Sequence, residues 1–330
     1  MRNWKFGSVV IFIALAILAL LPTQSPPQYV MSMLTSGLVL VMLTCSWDFL
    51  AGSTGQVSFG HAAFFGMGGY GAILSIVHLG FTPWAALIFG VIMASMLGLV
   101  VGMICLRLRG PYLALVTLAL AQILALLVDM TPSFTRGELG ISGYDGLVSS
   151  VSGVSYYYIA LVLAVAVVVC TKWLMLSKYG LILRTIKEDE IKAECVGVPT
   201  VKYKIFAFII SSGIAGLAGA FYAFFVHVLT PGVFDTRFSA LPIGMAILGG
   251  VGTIIGPALF ALLFHMIGEA LRPLGAGYDL FLLGVVIAVA VMYLPKGLYP
   301  LLWRVKSQGK PAPDIAVKAA HATQGAASEK

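Results

Sequence analysis

Of the 330 residues, 60% are hydrophobic and only 10% are charged, with a mean hydropathy of +1.00. Soluble domains use about 25% charged residues, so this chain cannot cover itself with a water-facing surface, and a soluble enzyme is excluded. The net charge of +7 does not point to nucleic acid either, because the basic residues stand at the ends of apolar runs and not in one patch interleaved with aromatics.

Apolar runs near or above about 20 residues must be helices if they cross a bilayer, because hydrocarbon offers no partner for an open backbone N–H or C=O. The basic start and apolar run of residues 1–22 predict an uncleaved first span beginning in the cytoplasm, since no small-x-small site precedes the segment Thr23 to Pro27. Further spans are predicted at about 29–50, 60–79, 83–106, 111–130, 155–176 and 204–228. The stretch 238–270 is apolar but interrupted at Gly249, Gly250 and Gly252 and again at Gly256 and Pro257. It reads as a short re-entrant half-helix followed by a longer helix, or as one broken span. A last span follows at about 277–294, and the polar tail after Trp303 reads as disordered.

The fold class is therefore an all-α polytopic membrane protein of about 8–10 transmembrane helices, the half-helix included. One transmembrane domain occupies 1–302, with a cytoplasmic loop at 177–204 and a cytoplasmic tail at 303–330. Placing both termini and the loops near 107–110 and 172–204 inside leaves only Arg136, Arg237 and Arg272 of the twenty Lys and Arg residues facing out. Cys45, Cys105, Cys170 and Cys195 are far apart, share no metal-ligand spacing and read as free thiols.

Two segments carry chemistry. The inner loop from Ser177 to Lys204 concentrates charge in a protein that has little elsewhere. From Leu181 to Val196 it predicts one short helix, with Leu183, Ile186, Glu190, Ala193 and Gly197 on one side. Glu188 and Lys192 are placed to pair at four-residue spacing, and Gly197 and Pro199 stop the helix. Such a helix lying along the inner surface is a docking site for a soluble partner; the plain alternative is a solvated loop charged by topology alone. The second segment runs from Gly52 through His61 to Gly71 and is rich in glycine. Gln56, Ser58 and His61 there, with Gly249 and Gly250 at the later break, are candidates for a solute path. The alternative is a tight helix crossing in which His61 is a satisfied bundle histidine.

Asp48, Glu269 and Asp279 lie near span ends and His265 deeper, so no chain of carboxylates crosses the membrane centre. That argues against proton or sodium coupling. The sequence has no G-x-x-x-x-G-K-[ST] phosphate loop, no H-E-x-x-H and no G-x-S-x-G. It predicts no catalysis, and any energy for pumping would come from another polypeptide.

Four runs in order carry a family resemblance: Ala51 to Gly66, Arg107 to Leu118, Glu188 to Gly197 and Leu248 to Pro257. Over about residues 30–302 the sequence resembles the permease subunits of bacterial ATP-binding-cassette importers for branched-chain amino acids, of the longer, LivM-like type. The resemblance implies inward movement of leucine, isoleucine or valine by alternating access. Related permeases serve urea and short amides, and a self-sufficient secondary transporter is the competing class. Implied partners are a second homologous permease, two cytoplasmic ATP-binding subunits that hold the ATP and Mg, and a periplasmic or extracellular solute-binding protein, with the chain multi-pass in the cell inner membrane and holding no cofactor itself. The inner loop resembles the E-A-A-x-x-x-G coupling signature, with Ala193 and Gly197 in register but Ile191 and Lys192 at the Glu and first Ala positions. It implies that Ile186, Glu188, Asp189, Glu190, Ala193, Glu194 and Gly197 couple to the ATPase.

Overall fold

The computed structural model describes residues 27–105, 111–148, 153–271 and 284–285. The predicted first span, the loop at 107–110, the span at 277–294 apart from residues 284–285, and the tail at 303–330 lie outside the described residues.

The elements, in chain order, are α1 (Gln28–Thr54), α2 (His61–Leu79), α3 (Pro83–Cys105), α4 (Pro111–Asp129), the single turn α5 (Pro132–Thr135), α6 (Gly153–Leu176), α7 (Lys178–Glu188), α8 (Glu190–Cys195), α9 (Thr200–Val226), α10 (Arg237–Gly249) and α11 (Ile255–Leu271). Six of them, α1, α2, α3, α4, α6 and α9, are long and apolar enough to cross a membrane, within a few residues of the predicted spans. The apolar stretch 238–270 is a short helix of 13 residues followed by one of 17. The loop after α4 and the loop after α9 add what hydropathy gave no sign of, a two-residue antiparallel ladder. It pairs β1 (Ile141–Ser142) with β2 (Val228–Leu229), Ile141 opposite Leu229.

At the centre, α9 packs against α1, α2 and α3, while α1 also touches α6, α10 and α11. In lipid, water drives no helices together, so association relies on close contact and internal hydrogen bonds. The sequence supplies the closeness with glycine. A Cβ on Gly68 of α2 would overlap the backbone of Gly216 in α9, and one on Gly219 would overlap the carbonyl of Phe65. Facing outward instead, Ile88, Ile92 and Met96 of α3 and Leu115, Leu126 and Leu127 of α4 are exposed, as suits side chains that meet lipid or another apolar surface.

This crossing yields a direct expectation. Gly68→Val should lower the thermal midpoint and the yield of detergent-extracted protein, at a cost of about 1–3 kcal/mol or more from overpacking. Gly153→Ala should leave both unchanged, because its new Cβ would meet only ordinary contacts at 3.7 Å and beyond.

Candidate functional site

The inner loop between α6 and α9 is folded, but not as the single helix expected over 181–196. It breaks at Asp189, whose backbone is extended (φ −160°, ψ 106°). The residue serves both neighbours: its N–H donates to the Thr185 carbonyl at 3.1 Å, and its carboxylate accepts from the Lys192 N–H at 3.1 Å as the cap of α8. The bend also removes the expected partnership of Glu188 and Lys192, since four-residue stacking needs an unbroken helix. Lys192 pairs with Asp189 at 3.0 Å instead. The Lys192 amide, and then its ammonium, hold the Asp189 carboxyl below the usual carboxylate range.

The predicted stop at Gly197 is in place. Gly197 has φ +84°, its N–H donates to the Glu194 carbonyl at 2.9 Å and the Val198 N–H to the Ala193 carbonyl at 3.1 Å. That double bond pattern closes α8 and needs a left-handed residue where glycine is cheapest. The seven residues expected to couple divide into two faces. Ile186 and Ala193 are buried and, with Leu183 beside them, anchor the segment, while Asp189 caps α8. Glu190 pairs with Lys204 of α9, and Glu194 accepts from the Thr200 hydroxyl at 2.7 Å, so both acids bond back into their own chain. The face left open holds Glu188 and Gly197 together with two residues the sequence reading passed over, Ile191 (65% exposed) and Val196 (76% exposed). Their signal was available: both are apolar and both fall off the inward stripe. Lys187 was likewise missed, and its ammonium donates to the Gly52 carbonyl at 3.0 Å.

The glycine-rich corner from Gly52 to His61 is closely packed against its neighbours. Ser58 and His61 are fully buried. His61 Nε2 lies 3.0 Å from the Ser211 hydroxyl and its ring meets Phe64 edge-on. Ser211 and Ser46 clasp α9 to α1, each hydroxyl donating to the other's carbonyl, at 2.9 and 2.8 Å. Trp47 donates to the Ser58 carbonyl at 2.8 Å and packs with Ala51, Ile243 and Ala246, which brings this corner against α10. Gln56 is partly exposed, and its side-chain oxygen is buried with no hydrogen-bond partner among the described residues.

The turn from α10 to α11 is tightly specified. Gly249 and Gly250 are buried, and a Cβ on Gly249 would overlap the backbone of Gly256 and Pro257. Gly250, Gly252 and Ile254 all have positive φ (+99°, +86° and +60°), a costly conformation for the β-branched Ile254. The turn is met by the last part of α1. The fully buried Asp48 accepts from the Gly252 N–H at 2.6 Å and from the Ile254 N–H at 3.0 Å. A Cβ on Gly52 would stand 2.6 Å from the Gly252 Cα. Among the described residues no three His, Cys, Asp or Glu side chains gather as a metal site.

Comparison with known proteins bears on this arrangement. Residues 29–291 match the family described as branched-chain amino acid transport system, permease component. The high-affinity branched-chain amino acid transport system permease protein LivM of Escherichia coli (strain K12) is 27% identical over 317 residues, covering 88% of this chain and 74% of that protein. A probable branched-chain amino acid transport permease protein LivM of Methanocaldococcus jannaschii is 28% identical over 238 residues, covering 65% of this chain and 68% of that protein. No solved structure matches the chain.

The cap at Asp189 can be tested by hydrogen exchange. Asp189→Ala should speed exchange of the Lys192 amide several-fold at neutral pH while α7 stays protected. Because the carboxyl is held below its ordinary range, the wild-type cap is present at neutral pH and is lost only as pH falls through that lowered value.

Proposed function

The chain belongs to the family of permease components of branched-chain amino acid transport systems, and on that footing we propose that it is one of two homologous membrane subunits of an ATP-driven importer for leucine, isoleucine and valine. It is a multi-pass membrane protein of transport and not of catalysis. In the proposed assembly two cytoplasmic subunits bind ATP and Mg, an external binding protein delivers the solute, and the two permeases open alternately to either side.

The observation that carries this reading is the platform at 178–198. A loop merely left over at the inner surface would not be anchored by Leu183 and Ile186, tied back through Glu190 to Lys204 and closed at Gly197, while presenting Ile191 and Val196 outward. Exposed apolar side chains on a rigid, charged support are what a soluble ATPase needs for a firm grip, with the buried apolar centre giving affinity and the charged rim register. The inward face sits on α6, α1 and α9, so a push on the platform moves membrane helices and not a free loop.

The platform is tested from its outer face. Gly197→Asp meets no atom of its own chain within 4 Å at the new Cβ, and Ile191 is mostly exposed. Ile191→Asp should therefore insert and fold normally, and Gly197→Asp should insert with a local cost of about 1–2 kcal/mol at its left-handed backbone (φ +84°). The expected result is loss of co-purifying ATPase and of radiolabelled leucine uptake in cells. Wild-type uptake by either well-expressed variant would sink the docking assignment. Uptake of urea with no uptake of leucine by the wild type would overturn the solute.

A further inference from the structure

The contacts of Lys187 and of Asp48 meet on one turn of α1. Gly52 lies in the last turn of that helix, where carbonyls run out of intrahelical partners; the Gly55 N–H takes Ala51 O, and Gly52 O is taken by Lys187 of α7 at 3.0 Å. An ammonium at the negative end of a 27-residue helix is well placed electrostatically as well. Asp48 stands four residues earlier, on the same face of α1, and holds both tip amides, Gly252 and Ile254. Between the two helical contacts the Gly52 and Gly252 backbones touch with no side chain to yield. The line from platform to hairpin tip thus runs Lys187, Gly52, Asp48, Gly252, with no loose member.

We propose that Lys187 and Asp48 are positioning residues for transport. Through them the docking platform sets the conformation of the α10–α11 tip at Gly250–Ile254. The tip is suited to be set from outside itself. Three of its five residues are left-handed, one of them an isoleucine, so the surrounding contacts determine its shape. The platform is the element an ATPase would grip, and the proposal rests on that reading of it. A shift of α7 carries Lys187, turns or slides the end of α1, and changes what Asp48 offers the tip. If Asp48 and Lys187 served stability alone, their loss would lower folding or assembly and leave the ratio of solute moved to ATP hydrolysed unchanged in the protein that remains.

The test uses the complete transporter in vesicles and, beside it, this chain in detergent. Lys187 is exposed as a residue while its stem runs beside Gly55, so Lys187→Met keeps an unbranched stem there and removes only the ammonium. Two results are expected. Amide exchange at Gly252 and Ile254, residues Lys187 does not touch, should quicken in Lys187→Met and return to wild type in Lys187→Arg. In vesicles, Lys187→Met should hydrolyse ATP at close to the wild-type rate while leucine uptake per ATP falls by about tenfold, the size of an ordinary coupling energy between sites. Asp48→Asn, which keeps the shape but leaves one acceptor oxygen for two amides, should show the same pair of defects more strongly. Unchanged exchange at the tip in Lys187→Met overturns the proposal whatever the solute is, as does a wild-type uptake ratio in that variant. Wild-type vesicles that move no leucine, with the exchange results as expected, would instead overturn the importer reading and leave the tie between platform and tip standing.

Discussion

A helix that breaks inside a membrane bundle leaves backbone N–H groups without intrahelical partners, and burying one unpaired costs several kcal/mol. At the break between α10 and α11 the Asp48 carboxylate takes two of those groups, and much else follows from that bond pair. An acid must lie near the end of α1, although a carboxyl in a membrane segment is itself costly. Gly52 must lack a side chain so that the turn can come close enough. Gly250 and Gly252 must adopt backbone conformations that other residues resist. The motif residues in these two distant stretches therefore look like one requirement written in two places.

The second requirement is closeness without hydrophobic drive. Where α2, α3 and α9 come closest, glycine and alanine take the contact positions, and between α1 and α9 the hydroxyls of Ser46 and Ser211 bond across. Large apolar residues are turned to the outside of α3 and α4. Away from those crossings the interior is filled by large apolar side chains such as Phe64, Phe208 and Phe221, and the outer faces are apolar as well, because the surroundings are themselves apolar.

Most of the helical architecture was legible in the sequence because a bilayer dictates length so firmly: the span expected at 155–176, for instance, is Gly153–Leu176. The interruption of 238–270 was legible through its glycines, and of the two readings left open there the chain forms two helices, of 13 and 17 residues. What escaped was what depends on capping and on distant partners. The break at Asp189 was hidden because periodicity continues across it, although an Asp followed by an acidic first turn is a helix-start signal. Glu190 and Glu194 looked like ATPase contacts by motif position, yet their neighbours in α9 claim them, while Ile191 and Val196 on the open face were passed over. Asp48 was noticed only as an acid near a span end. Its partners lie 204 and 206 residues away, and no local pattern reaches that far.

That separation has a consequence for how the protein is made. Chains grow at about 5–20 residues per second, so roughly 10–40 s pass between the synthesis of Asp48 and that of Gly252, 204 residues on. Through that interval α1 exists with its acid and without the amides that satisfy it. The position of Asp48, six residues before the end of α1 at Thr54, makes the wait bearable. At a rise of about 1.5 Å per residue the carboxyl is about 9 Å from that end, so a small slide toward it would bring the carboxyl to the hydrated headgroup layer until the hairpin arrives. Insertion of the first spans and their final docking are thus separate events in time, joined by one late pair of hydrogen bonds.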